Sequence, residues 1–295
     1  QPRFPPFLRQ RCQSMLAAQW MHRLPLIQAK SPANLASELI LGILEQYPDT
    51  DDLTVVDFCS GGGGPTPVIE HAVNSSRATR EQRPIPFLLS DISPHLDAWI
   101  DLSSRSENLS FIPQPVDATA PPPSVISVTA TRGSKIFRLF SLSFHHFGDE
   151  LAAKVLRSSL ETSDGFAIIE LQDRRVWSLG LMLIDMPLLM LVTLLWFWRD
   201  PMHLLFTYTI PILPCIMPWD GLVSCLRTRE FHELVQLLEK SATDSAKDEL
   251  HIRRTGNQSC EVIIGEVQWE IFGGRKMHTW PVGYMNWFVG RRIQR

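Results

Sequence analysis

Ten residues, Val55-Val56-Asp57-Phe58-Cys59-Ser60-Gly61-Gly62-Gly63-Gly64, constrain the fold of this chain more than any other stretch. An apolar strand pattern carries an acid near its end and runs straight into four glycines, with no helix between. Glycines in such a place let the backbone turn through positive φ and come close to a bulky ligand. Pro65 suits the first turn of a following helix, whose free amides would face something negative or strongly polar. A dinucleotide loop needs G-x-G-x-x-G, but counted from Gly61 and Gly63 the third position is Thr66, and counted from Gly62 and Gly64 it is Pro67. The spacing weakens a dinucleotide and leaves another nucleotide-type cofactor open.

With 295 residues there is material for one large elaborated α/β domain. Net charge is −3, and the only basic cluster is the short tail at 291–295, so the electrostatic footprint of a nucleic-acid binder is missing. Five scattered cysteines, Cys12, Cys59, Cys215, Cys225 and Cys260, never form a C-x-x-C pair. That usage argues against a disulfide scaffold and a zinc site, and for reduced thiols in a cytosolic setting. The chain begins at Gln1, which leaves room for a removed leader.

Residues 4–26 carry Phe7, Leu8, Met15, Leu16, Trp20 and Met21 among polar residues, the pattern of an amphipathic helix that either covers a ligand pocket or caps the core. A second helix over 35–44 leads through Tyr47-Pro48-Asp49 to a strand at 53–58. Helix and strand then alternate. A helix from Pro65 precedes a strand at 86–90 ending at Asp91, and a helix over 94–104 precedes a strand at 109–113 leading to Asp117. An exposed linker at Pro121-Pro122-Pro123 is followed by a strand at 135–144, a helix over 148–160 and a strand at 166–170. The alternation predicts an α/β fold: a doubly wound, mostly parallel Rossmann-like sheet with helices on both faces, binding its ligand at the carboxyl ends of the strands.

Residues 176–198 contain a single charged side chain, Asp185, and are long enough to cross a membrane. Asp185 and Pro187 near the middle, and Arg174, Arg175 and Arg199 at the two ends, count against a simple span. Residues 204–219 are apolar too but broken by Pro211, Pro214 and Pro218, as in a loop or broken helix on an apolar surface. The whole segment reads either as a membrane-surface or re-entrant insertion, or as a soluble lid against the domain or a partner subunit. Beyond it, Phe231, Leu234, Val235 and Leu238 predict an amphipathic helix over 229–240. Runs at 260–272 and 282–289, separated by Gly273-Gly274, predict an antiparallel C-terminal strand or hairpin.

With Asp57 in the first strand and Cys59, Gly61 and Gly63 following at alternate positions, residues 53–170 resemble the class I S-adenosylmethionine-dependent methyltransferases. In that family the nucleotide-binding strand ends in an acid followed by glycines at alternate positions; cysteine stands at the first of them here. The Phe144-His145-His146-Phe147 run and residues 219–228 are similar to a subgroup, found in microbes, with a hydrophobic insertion before the last strands. The resemblance implies S-adenosylmethionine as cofactor. It implies that Gly61 and Gly63 let the loop pass beneath the methionine part and that Asp57 helps hold its amino group. Asp91 would accept hydrogen bonds from both ribose hydroxyls, as a carboxylate with two acceptor oxygens can. Asp117 and Ala118 would lie beside the adenine amino group. Each acid also reads as a solvated turn or helix cap.

His145 and His146 follow the fourth strand, where the resemblance puts groups near the transferred methyl. Methyl transfer is a displacement at a sulfonium carbon, so alignment and exclusion of water count most. A base matters only when the nucleophile must lose a proton, which histidine can accept near neutral pH. Equally, one histidine can cap the helix near Gly148 while the other supports the core. Adjacent side chains diverge on a strand and no third ligand is evident, so no metal site is expected. Trp20, Tyr208 and Arg227 are candidates for contact with substrate, Arg227 alternatively pairing with Asp220.

These readings divide the chain into an N-terminal helical cap (1–50), a cofactor-binding core (51–175), a hydrophobic insertion acting as lid or membrane contact (176–220) and a C-terminal part completing the core (221–295). They imply a cytoplasmic methyltransferase, peripheral to a membrane or dimeric through 176–219. Its substrate would be a lipophilic small molecule methylated on oxygen or nitrogen in specialised metabolism, with no nucleic-acid partner. The alternatives are a cyclase or elimination enzyme on the same fold, and a membrane-associated binding protein with a decayed enzyme fold.

Overall fold

The computed structural model describes residues 5–48, 52–122, 135–243 and 250–293. Helices α1 (Pro6–Met21) and α2 (Pro32–Leu44) precede strand β1 (Leu53–Phe58), which is buried along its whole length. Burial on both sides is what a continuous apolar run between two helical layers requires. Val56 and Phe58 face one layer, and Leu53 and Val55 face the other.

Parallel pairing joins β1 to β2 (Phe87–Ser90) and to β4 (Lys135–Ser141) on its other side. Outside these lie β3 (Leu109–Phe111), against β2, and β5 (Gly165–Glu170), against β4, both also parallel. Helices α3 (Thr66–Thr79), α4 (Leu96–Ser103) and α5 (Asp149–Thr162) make the crossovers among the described residues. With the order β3-β2-β1-β4-β5, the strand order reverses between β1 and β4, and in open α/β sheets ligands bind beyond the carboxyl ends of the strands at such a point. The α/β doubly wound expectation holds. The linker at Pro121-Pro122-Pro123 runs into residues 123–134, which lie outside the described residues, as does Asp49 of the turn before β1.

The C-terminal end of the sheet is larger than a hairpin. Four antiparallel strands, β6 (Leu250–Gly256), β7 (Ser259–Ile264), β8 (Val267–Thr279) and β9 (Gly283–Ile293), extend it, with β9 antiparallel to β5. The turns lie at Gly265, with φ at 56°, between β7 and β8, and at 280–282 between β8 and β9, and not at Gly273-Gly274. Those two glycines sit inside β8 because aromatic rings cover them. A Cβ on Gly274 would come within 2.3 Å of the Trp287 ring, and one on Gly273 within 2.9 Å of Phe288. Glycine in a strand interior marks such a close approach as often as it marks a break.

Between β5 and these strands comes the insertion. Helix α6 (Val176–Trp196) has a mean hydropathy of 2.1 and is 22% buried over its most apolar window. A short turn, Pro201–Leu204, continues into a π-helical turn, Leu205–Thr209, and then helix α7 (Ile212–Arg227), bent by 80° from it. By length and composition α6 suits a membrane span, and the bent pair suits a broken span or re-entrant loop. Helix α7 runs without interruption across residue 220, so the insertion and the C-terminal part share one helix. Helix α8 (Phe231–Thr243) follows and packs on the same side of the sheet as α5.

Helix α1 ties the parts together. Its Arg11 pairs with Asp200, His22 stacks on Trp196 with ring centres 4.7 Å apart, and Met15 packs with Leu189 of α6 and Met217 of α7. Its Gln13 side chain lies over the glycine loop, 3.3 Å from where a Cβ on Gly61 would be.

Candidate active site

The glycine loop leaves β1 through a run of left-handed backbone. Cys59, Gly61, Gly63 and Gly64 have φ of 58°, 53°, 99° and 46°. Cysteine thus occupies a conformation that glycine adopts far more cheaply. At Gly63 a Cβ would also lie 2.4 Å from Leu102. The loop is pinned from outside: Trp99 Nε1 donates to the Gly61 carbonyl at 2.9 Å, and the Gly61 amide donates to Asp91 Oδ2 at 3.0 Å.

Three acids named from the sequence converge here. Asp57 is buried and accepts the Thr66 hydroxyl at 2.6 Å through Oδ2, while its Oδ1 is buried with no partner. Burial, reinforced by Asp91 and opposed by the Thr66 hydrogen bond, pushes Asp57 up to about 8. Asp91 is half-buried at the end of β2 and also accepts the Ser93 amide at 2.8 Å through Oδ1. Asp117 is exposed and forms a local turn, accepting the Thr119 amide and hydroxyl at 2.8 and 2.7 Å, with Ala118 buried behind it. The Cys59 thiol feels all three: burial and then the charges of Asp91, Asp57 and Asp117 push it well above the usual thiol range. His95, between β2 and α4, adds a buried ring nitrogen without a partner, Nδ1, which lies 3.7 Å from where a Cβ on Gly62 would be. Two unpartnered buried polar atoms around one glycine loop fit a polar, donor-bearing ligand, since an unmet buried acceptor costs about 1–3 kcal/mol.

The second half of the site follows β4. There a 3-10 turn, Phe144–His146, presents both histidines, and Arg229 holds it, donating to the Phe144 and Phe147 carbonyls at 3.3 and 2.7 Å and to Asp149 at 2.9 Å. His145 is buried against Glu170 at the end of β5. Its Nδ1 lies 2.7 Å from Glu170 Oε2, and its backbone amide donates to Oε1 at 3.1 Å. Burial pulls the imidazole down, but Glu170, by charge and by hydrogen bond, more than offsets it, and His145 titrates above the usual histidine range. With the Nδ1 proton directed at Glu170, Nε2 is the basic nitrogen of the neutral ring. His146 lies beside it, ring centres 4.2 Å apart and planes tilted by 50°, and its pKa is held down by desolvation and by the neighbouring His145. Glu170 went unrecognised in the sequence; its one signal was an acid ending an apolar strand.

A partly open cavity of about 180 Å³ lies beside the histidines. Its walls come from α1 (Leu16, Gln19, Trp20), the inner side of α6, Met217 and Asp220 of α7, and His278 with Thr279 at the end of β8. Trp20, a candidate for contact with substrate, lines it. Tyr208 and Arg227 do not: Tyr208 is partly exposed with its hydroxyl on the Met190 carbonyl, and Arg227 is exposed at the end of α7. Proline and π-helical turns swing Tyr208 away from the cavity. No ion pair joins Arg227 to Asp220 among the described residues; seven residues apart on one helix, they stand about two turns apart. No group of three or more histidine, cysteine or acidic side chains is placed to hold a metal among the described residues.

No protein-family model matches the chain, and neither does any curated protein. Solved structures with a similar chain path include a DszA carbon methyltransferase, at 15% identity and TM-score 0.45, covering 90% of this chain and 55% of that one. A SAM-dependent methyltransferase from Aquifex aeolicus matches at 12% identity and TM-score 0.41, covering 99% of this chain and 100% of that one. The magnesium protoporphyrin IX methyltransferase from Synechocystis, solved with bound SAM, matches at 9% identity and TM-score 0.42, covering 96% and 97%. This chain spans about half the length of the DszA protein it matches. In this chain five parallel strands, extended by four antiparallel ones, make a Rossmann-like sheet.

Proposed function

We propose that this protein is an S-adenosylmethionine-dependent methyltransferase acting on an oxygen or nitrogen of a lipophilic small molecule. The observation that carries the reading is the adjacency of two loops at the switch point. One, after β1, is a glycine loop ringed by Asp57, Asp91 and Asp117; the other, after β4, presents His145 to an apolar cavity.

When bound, S-adenosylmethionine supplies an electrophilic methyl group. Asp57 Oδ1 and the positive-φ backbone at Gly61 and Gly63 would hold the amino-acid part, Asp91 the ribose and Asp117 with Ala118 the adenine. Helix α1, with Gln13 against the loop and Trp20 in the cavity, closes the site over both ligands and excludes water. His145 Nε2 takes the proton that an oxygen or nitrogen nucleophile must lose, and Glu170 is the positioning residue that fixes the ring and steadies the imidazolium. A dry wall suits a reaction in which the sulfonium charge disappears.

The outer face of the insertion belongs to the same reading. Leu183, Leu191, Leu195, Trp198 and Trp219 are exposed, which suits a cytoplasmic enzyme resting on a membrane surface from which a lipophilic substrate enters.

Incubating the purified chain with methyl-labelled S-adenosylmethionine and a lipid-soluble cell extract is the test. Label in a small-molecule product supports the assignment. Product formation sustained by S-adenosylhomocysteine would replace it with a cyclase or elimination on the same fold, and no calorimetric binding of either cofactor form would end it.

A further inference from the structure

The inner side of α6 turns one acid into the cavity. Leu181, Asp185, Leu188, Val192 and Trp196 recur at helical spacing and all line it. Among the described residues no lysine or arginine lines the cavity, while two carboxylates, Asp185 and Asp220, do. The cavity's histidines do not balance them. The charge on His145 is met by Glu170, burial brings His278 down to about 4, and His146 is held down by burial beside His145.

Asp185 is poorly served by its own protein. Its partner is the Gln19 side-chain amide, 3.3 and 3.5 Å from the two carboxylate oxygens, both long for an N–H···O bond. A carboxylate can accept about four hydrogen bonds, so one neutral donor shared between two oxygens leaves most of that capacity open. Burial, eased only partly by Gln19, pushes the group up to about 6, which leaves it mainly ionised at neutral pH. An ionised acid in an apolar chamber needs a cation.

We propose that this cavity selects lipophilic amines, the substrate's ammonium group pairing with Asp185 while its apolar body fills the space between α1 and α6. The ammonium is an anchor. A protonated nitrogen has no lone pair to offer a methyl group, so the acceptor atom is a second group of the same molecule, near His145. The role of this anchor in catalysis rests on the methyltransferase reading; the binding preference does not.

Calorimetry on the full chain with three probes sharing one ring system, 1-naphthylmethylamine, 1-naphthalenemethanol and 1-naphthoic acid, tests the assignment. The amine should bind about 10- to 100-fold more tightly than the alcohol, the worth of one charge-assisted hydrogen bond, and the acid most weakly. Asp185→Asn should abolish the amine's advantage while the alcohol's affinity stays within about threefold. If that variant does not fold, the ranking by the wild-type protein decides alone. Failure of the amine to bind, equal affinities for amine and alcohol, or an amine preference that survives Asp185→Asn would each overturn the proposal. S-adenosylmethionine is titrated in parallel. Amine preference without cofactor binding would sink the methyltransferase reading and leave the cavity assignment standing, and cofactor binding without amine preference would do the reverse.

Discussion

Glu170 grips His145 twice, its Oε2 lying 2.7 Å from the imidazole Nδ1 and its Oε1 accepting the backbone amide at 3.1 Å. One carboxylate at the end of β5 therefore sets both the path of the turn after β4 and the tautomer of the ring it carries. Glu170→Gln keeps the shape and removes the charge. The His145 resonance in an NMR titration should then move from above the usual histidine range to below it, because burial is left as the main influence. Methyl transfer should fall about 10- to 100-fold, less than the roughly 100- to 10,000-fold worth of a positioned base, because the base itself stays in place.

The same pair has a definite pH signature in stability. The folded pKa of His145 is raised, so its contribution is complete below the unfolded value of about 6.5 and is lost as pH rises through the folded value. Wild type should exceed Glu170→Gln in melting temperature most at mildly acidic pH, with the gap narrowing as the solution becomes alkaline. A gap that does not change with pH would show that the imidazole is not charged in the fold.

Asp57 should give up a proton when cofactor binds. Burial raises it to about 8 in the free protein, and an ammonium group placed beside it favours the charged form. Calorimetry of S-adenosylmethionine binding in buffers of different ionisation enthalpy should register release of up to about one proton near neutral pH, declining as pH passes the free-protein value. Asp57→Asn should remove the release. Proton-independent binding by the wild type would dissociate Asp57 from the cofactor's amino group.

Substitutions in the glycine loop should follow backbone conformation and not side-chain chemistry. Gly63→Ala meets both a φ of 99° and Leu102 at 2.4 Å, whereas Gly64→Ala meets a φ of 46° with nothing within 4 Å. The first should cost more in denaturant unfolding, where a left-handed non-glycine residue alone costs about 1–2 kcal/mol. Cys59→Gly should stay within about 1 kcal/mol of wild type and keep cofactor binding, since glycine adopts the required φ freely. Loss of binding in Cys59→Gly would give the sulfur a role that its conformation does not require.

The outer face of α6 gives a prediction about location. Wild-type protein should float with lipid vesicles, and a variant combining Leu183→Gln, Leu195→Gln and Trp198→Gln should remain in solution with its fold intact. If the wild type instead stays in solution as a dimer that the triple variant dissociates, the exposed apolar surface belongs to a second copy of the chain.

Much of the sheet was legible in the sequence because its signals are local. β1, β2, β4 and β5 are short apolar runs bounded by glycine, proline or acid, and burial on both faces leaves the same mark wherever the strand lies. Asp57, Asp91 and Asp117 were visible for the same reason, since each follows or ends such a run. The antiparallel character of the C-terminal strands was legible too, but Gly273 and Gly274 read as a break, whereas their place inside β8 depends on Trp287 and Phe288 packing over them from another strand.

Sequence alone determined the alternation of strand and helix, the glycine loop and the acids around it, because hydrophobic periodicity and backbone freedom are properties of neighbouring residues. Tertiary structure decided what those residues face. Glu170 meets His145 only because β4 and β5 lie side by side in register, bringing together groups 25 positions apart. Asp185 was the one charge in an apolar helix, set against a simple span but compatible with a membrane-surface insertion, a lid or an interface, until the packing of α1 and α7 against α6 turned it into a cavity. Which way a helix face points depends on the surface it buries against, and no local pattern carries that information.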